Sequence, residues 1–114
     1  MNTIYKICDR ALWRKAEVDK VFRGTPADAR DGFIHFSTAA QLAATAAKHF
    51  AGASGLLLIA VDAEHLGPAL KWEVSRGGDL FPHLYGPLPL AAVRWVKALA
   101  DEIEGRRFIP ELAP

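Results

Sequence analysis

The chain is poor in cysteine and methionine, with one of each, and it has no surplus of charge of either sign. With Cys8 alone an intrachain disulfide is impossible, and a zinc site built on several thiolates is excluded. Cys8 lies in an apolar run and reads as a small buried hydrophobe. The 14 basic and 13 acidic residues leave a net charge of +1. They form no basic stripe of the kind a nucleic-acid groove needs, so a nucleic-acid partner is not expected. The Arg106-Arg107 doublet near the C-terminus reads as part of a solvated tail. Long apolar runs are also missing. The longest, Gly55 to Val61, has the length of a strand, far short of the roughly 18 residues of a membrane-spanning helix. The opening Met-Asn-Thr-Ile-Tyr-Lys-Ile lacks a basic-then-apolar signal region. The expectation is a cytoplasmic protein with no membrane partner.

What is present is a foldable composition: 51% of the 114 residues are hydrophobic, enough for one core and one domain spanning 1–114. Ile4 to Cys8 has strand character, and Asp9 is placed to cap a helix from Arg10 to about Asp19, with Leu12, Ala16 and Trp13 inward. Gly24-Thr25-Pro26 starts a loop or short helical turn. Asp31-Gly32 turns the chain into a second strand, Phe33 to Phe36. Thr38 and Gln41 have the spacing of a capping box, and the helix behind them places Leu42, Thr45, Ala46 and His49 on one face. It should end near Phe50 to Gly52. Leu56 to Val61 reads as a central strand covered on both sides. Leu70 to Val74 follows as a strand, then a Gly77-Gly78 turn. Leu80 to Tyr85 is a short strand whose Pro82 argues for an edge or irregular position. Val93 to Val96 is read as strand, and 100–114 as a peripheral tail. Helices gathered early and strands late give an α+β domain.

Three polar constellations could carry chemistry. His35-Phe36-Ser37-Thr38 sets an imidazole and two hydroxyls beside a helix start, where a phosphate or ribose could be gripped. The plainer account makes Ser37 and Thr38 caps and His35 a satisfied half-buried side chain. In Phe81-Pro82-His83-Leu84-Tyr85, His83 and Tyr85 share a face of an extended segment and suit a rigid pocket wall that stacks on a flat ligand. Ordinary packing with a surface His83 fits equally well. Lys71 and Glu73 point together from a strand, with Trp72 opposite. A surface ion pair, worth about 0–1 kcal/mol, is the simpler origin. The histidines have no short metal-ligand spacing, and a His35/His83/Glu73 metal site is not favoured, so no metal is expected. No phosphate-binding glycine loop or nucleophile elbow occurs.

These segments also carry a resemblance. Tyr5-Lys6-Ile7, Gly32-Phe33-Ile34-His35-Phe36-Ser37-Thr38, Lys71-Trp72-Glu73 and Phe81-Pro82-His83-Leu84-Tyr85-Gly86-Pro87-Leu88 resemble the DUF952 family, small bacterial proteins of unknown function, over about 3–99. The resemblance implies an ADP-ribosyltransferase-like fold with a split, bent β core, related more distantly to RNA 2′-phosphotransferases. It implies NAD in the cleft as the cofactor. It places Lys6 at a first-strand position that often holds histidine, and His35, followed by Ser37 and Thr38, at the second-strand position. Glu73, His83 or Tyr85 falls at a later position facing the cleft. Lysine can reach a phosphate or ribose hydroxyl as a point charge but lacks the planar geometry of imidazole.

The leading expectation is therefore a nucleotide- or NAD-binding domain that transfers or cleaves an ADP-ribose-type glycosyl bond. In it His35, His83 and Glu73 are the catalytic candidates, and Lys6, His35, Ser37, Thr38 and Tyr85 hold the cofactor. A non-catalytic protein that binds a small metabolite is the alternative. A protein-interaction module, marked by a broad exposed apolar patch, is the third.

Overall fold

The structure, a computed structural model, describes residues 2–112. Its elements in chain order are β1 (Thr3–Asp9), α1 (Arg10–Asp19), β2 (Val21–Phe22), α2 (Pro26–Asp31), β3 (Ile34–His35), α3 (Leu42–His49), β4 (Leu56–Asp62), β5 (Leu70–Val74), β6 (Leu80–Leu84), β7 (Leu88–Pro89) and β8 (Val93–Ala98). The domain is α+β, with its α-helices in the N-terminal half. Among the described residues no helix is long and apolar enough to cross a membrane.

β4 is the middle strand of an antiparallel sheet ordered β1-β4-β8, and Leu56 to Val61 are all buried. Its unbroken apolar run follows from cover on both faces. One core contains Ile4, Cys8, Trp13, Ile59 and Val61, and the other Tyr5, Ile7, Leu42, Leu58 and Ala60. Strand alternation puts Lys6 on the Ile4 and Cys8 side, a lysine in the wall of a core. α1 begins where the Asp9 carboxylate accepts from the Ala11 N–H at 3.0 Å, and it buries Trp13 and Ala16.

A second antiparallel sheet has the order β3-β6-β5, and β2 pairs with β7 in a two-stranded ribbon. The expectation for Leu80 to Tyr85 is corrected here, because β6 is the central strand. Pro82 is tolerated for a geometric reason. The N–H and C=O of one residue point to the same side of an antiparallel strand. The Pro82 carbonyl accepts from the Phe36 N–H at 3.0 Å, so the missing donor also faces that side, just past the last β3 residue. The β5 side, where Trp72 opposes Pro82, loses nothing. The two three-stranded sheets meet through one bridge, in which Tyr5 and Ser37 exchange both backbone hydrogen bonds, at 2.8 and 2.9 Å.

The C-terminal tail is also corrected. The Arg107 side chain is only 4% exposed. Its guanidinium donates to the carbonyls of Phe50 and Ala53 at 2.9 and 3.0 Å and of Ala100 at 2.8 Å. It thereby ties the tail to the loop after α3. Arg107→Ala is expected to cost about 2 kcal/mol, the range for hydrogen bonds to a charged group. Arg106→Ala, at an exposed residue, should stay within about 0.5 kcal/mol of wild type. Urea unfolding of the two variants checks this, and equal effects would contradict it.

Candidate functional site

The site is built around a residue absent from the expectations above, Asp28. Thr25 caps α2: its hydroxyl accepts from the Asp28 N–H at 3.2 Å while the Asp28 carboxylate accepts from the Thr25 N–H at 2.9 Å. Pro26 suits the first helical turn, where its missing N–H is not needed. Gly24 is required just before. It has φ +105°, and a Cβ there would lie 2.8 Å from the Asp28 Cβ. The reciprocal cap fixes a carboxylate that is only 2% exposed.

Three cationic or polar groups converge on it. Lys6 Nζ lies 3.0 and 2.9 Å from the two carboxylate oxygens. The His35 ring Nδ1 and backbone N–H approach Asp28 Oδ1 at 2.6 and 3.2 Å. Burial alone would push the Asp28 carboxyl up. The His35 bond, the Lys6 ammonium and the Thr25 N–H outweigh it and hold the group well below the usual carboxylate range. Lys6 is buried too, which lowers its pKa, with Asp28 opposing the shift. It also donates to the His35 carbonyl at 2.8 Å. Lys6 is thus committed to the Asp28 carboxylate and the His35 carbonyl. His35 is similarly occupied, with its Nε2 3.1 Å from the Asp31 carboxylate.

The second cluster stands on the same face of the β3-β6-β5 sheet, where His35 opposes His83 in register. Glu73 Oε1 receives the His83 Nδ1–H at 2.8 Å and the Tyr85 hydroxyl at 2.7 Å. These bonds lower the Glu73 pKa and raise that of Tyr85. Glu73 is thus committed to His83 and Tyr85, a correction to its reading as the partner of Lys71. Phe33 stacks on His83 with centroids 4.1 Å apart and 25° between planes, and also touches His35 and Tyr85 at 4.5 and 5.2 Å. The stacking expected of a flat ligand is therefore already supplied on that face of His83 by Phe33.

A cleft of about 590 Å³ runs between this sheet face, β1, α2 and the end of α3, and is lined by Lys6, Asp28, His35, Ser37, Lys48 and His83 among others. Of the residues expected at a site, Lys6, His35, Ser37 and His83 share its wall. Glu73 and Tyr85 join through His83. Thr38 does not line it. Thr38 and Gln41 make the reciprocal bonds expected of a capping box, at 3.0 and 3.3 Å, but they close the turn before α3, whose own N-cap, Gln41, makes no side-chain cap bond. The Leu42 N–H bonds to the Ala39 carbonyl, so these donors are used locally rather than offered to an anion. Ser37 bonds Thr45 through their hydroxyls at 2.8 Å. Cys8 is buried, and burial pushes its thiol up to about 11, which leaves it inert. Among the described residues no group of three or more His, Cys, Asp or Glu side chains could hold a metal ion.

Fold and site together define a small α+β domain with a histidine-lined polar cleft. The chain belongs to the DUF952 family, described as a protein of unknown function, whose model matches residues 7–96. It is similar to protein CC0527 from Caulobacter crescentus. The crystal structure of that protein is 47% identical over 93% of each chain, with a TM-score of 0.89. Its solution NMR structure is 48% identical over 92% of this chain and 90% of that one, with a TM-score of 0.81. No functionally curated protein matches the chain.

Proposed function

We propose that the cleft binds a nucleotide-like small molecule, with NAD the leading candidate, on an ADP-ribosyltransferase-like split β core. The observation that carries this reading is the meeting of two carboxylate–histidine pairs, Asp28–His35 and Glu73–His83, on one sheet face. The adjoining cleft has a volume in the range of small-molecule sites, roughly 300–1,000 Å³. Two open sheets joined, among the described residues, at the Tyr5–Ser37 bridge support the split core.

In this reading His35 orients the nicotinamide ribose, and Ser37 holds a ribose or phosphate oxygen. His83 lines the nicotinamide or acceptor side, with Tyr85 behind it through Glu73. Lys6 acts indirectly, because its charge is matched by Asp28. The counter-charge for a pyrophosphate comes instead from Lys48, which lines the same cleft and pairs with no carboxylate among the described residues. Cleavage of the glycosyl bond would then draw on electrostatic support of an oxocarbenium-like state. A protein-interaction role would use the opposite face of the sheet, where Trp72, Val74 and Leu80 are 42%, 70% and 52% exposed. That patch is three side chains on one hairpin, whereas the cleft gathers both histidine pairs.

The test is an NMR titration of labelled protein with NAD. Saturable shifts centred on residues 33–37 and 81–85, weakened in His35→Ala, are expected. Silence at millimolar NAD would dismiss this ligand and send the search to other nucleotides and metabolites.

A further inference from the structure

The two histidines of the site are not equivalent. His35 has both ring nitrogens against carboxylates, Nδ1 on Asp28 and Nε2 on Asp31, so both of its polar edges are already engaged. His83 is bonded at one nitrogen only. Its Nδ1 faces Glu73, and an ionised carboxylate can only accept, so Nδ1 is the nitrogen that carries hydrogen. Nε2 then holds the lone pair and has no hydrogen-bond partner among the described residues. His83 lines the cleft. Its ring is held from three directions: Phe33 covers one face at 4.1 Å, Glu73 fixes the Nδ1 edge, and Tyr85 holds Glu73 from behind. A ring held in one tautomer and one plane, on a residue that lines a cleft and keeps one nitrogen unbonded, has the arrangement of a general base oriented by a third group.

We infer that His83 Nε2 is the proton acceptor of the cleft, and that the acceptor substrate is an oxygen nucleophile, either water or a hydroxyl group. This rests on the ligand reading above. A hydroxyl or water is a poor nucleophile until its proton is removed during attack, whereas a neutral amine needs no base for the attack itself. The other groups are unsuited to the role. Cys8 is a buried thiol donating to the Asp9 carbonyl, Ser37 is bonded to Thr45, and Lys6 is paired with Asp28. In the step, the nucleophile's oxygen bonds to C1′ of the nicotinamide ribose as the C1′–N1 bond breaks. The bonding pair returns to the ring nitrogen, and the pyridinium leaves as neutral nicotinamide. The nucleophile's proton passes to His83 Nε2 and from there to solvent. With water the products are ADP-ribose, nicotinamide and a proton, so no leaving-group acid is required. Glu73 is a positioning residue that sets the tautomer, and Tyr85 positions Glu73.

The experiment pairs NAD binding, read by NMR, with nicotinamide release in water and in water–methanol, for wild type, His83→Asn and Glu73→Gln. Asparagine can keep an N–H toward Glu73 but supplies no base. Wild type should release nicotinamide and divert part of the ADP-ribose to a methyl glycoside. His83→Asn should bind NAD yet lose about 10²–10⁴-fold in release, the usual worth of a general base. Glu73→Gln keeps an acceptor for Nδ1 and removes the charge, so kcat should fall while KM stays within about twofold. NAD binding without release, or release from His83→Asn within about threefold of wild type, would overturn the inference and leave the ligand reading standing. Absence of NAD binding would overturn the ligand reading, and this inference with it.

Discussion

Replacing Lys6 with methionine is expected to lower stability by about 3–5 kcal/mol, the cost of leaving one member of a buried ion pair without its partner. The side chains of Lys6 and Asp28 are 8% and 2% exposed, so water cannot replace the lost contact. Methionine fills much of the volume of lysine, which separates the electrostatic loss from a cavity effect. Asp28→Asn should also destabilise, because asparagine keeps one acceptor oxygen and turns the other into a donor facing the Thr25 N–H. The double variant Lys6→Met/Asp28→Asn should be less damaged than the two single losses summed. Once the ammonium is gone, the buried charge itself is the liability. A coupling energy of about 1–3 kcal/mol is expected from the cycle, measured by urea unfolding. Additivity within about 0.5 kcal/mol would show that the pair does not act as a unit. The His35 resonances should shift in all three variants, since Lys6 also donates to the His35 carbonyl.

The sequence displayed those parts of the molecule whose causes are local. α1 runs from Arg10 to Asp19 as its cap and periodicity predict, because an Asp9 carboxylate and an apolar stripe act within a few residues. Leu56 to Val61 was legible as a covered central strand from its composition alone, and Thr38 and Gln41 make their reciprocal bonds, although α3 itself starts only at Leu42. What escaped depends on partners distant in the chain. Pro82 argued for an edge, because sequence does not show that the neighbouring strand stops at the one place where its missing N–H would matter. Arg107 looked like part of a solvated doublet, because two of the three carbonyls it serves lie more than 50 residues away.

The candidate site divides the same way. Lys6, His35, Ser37, Glu73, His83 and Tyr85 could be singled out as polar residues in strand-like segments, and alternation put His83 and Tyr85 on one face. Asp28 could not be weighed so easily, since its importance comes from Lys6, 22 positions earlier. A local signal did exist: Thr25-Pro26-Ala27-Asp28 is a capping box with proline in the first turn. A lysine inside a strand otherwise buried also requires an acidic partner, because an unpaired buried charge is prohibitive. Together those two arguments point to Asp28. Phe33 escaped for a different reason. Its place among His35, His83 and Tyr85 needs the β3-to-β6 register, which only the folded sheet sets.

Acid should dismantle the site through that same carboxylate. In the unfolded chain Asp28 titrates near about 3.9. In the fold its pKa is far lower, because the bonds from His35, Lys6 and Thr25 exceed the cost of burial. Between the two values the unfolded chain binds a proton that the folded chain refuses, so stability falls as pH falls. The contribution is complete above about pH 5 and drains below about pH 4, at up to about 1.4 kcal/mol per pH unit. Glu73, with its pKa lowered by His83 and Tyr85, adds a slope of the same sign. Asp28→Asn carries no titrating group at that position and lacks the first of these slopes. Urea midpoints at about pH 5, 4 and 3 should therefore show wild type and Asp28→Asn converging as acid is added. Parallel curves would mean that Asp28 takes up its proton equally in the folded and unfolded chain, and the ion pair would lose its place at the centre of the site.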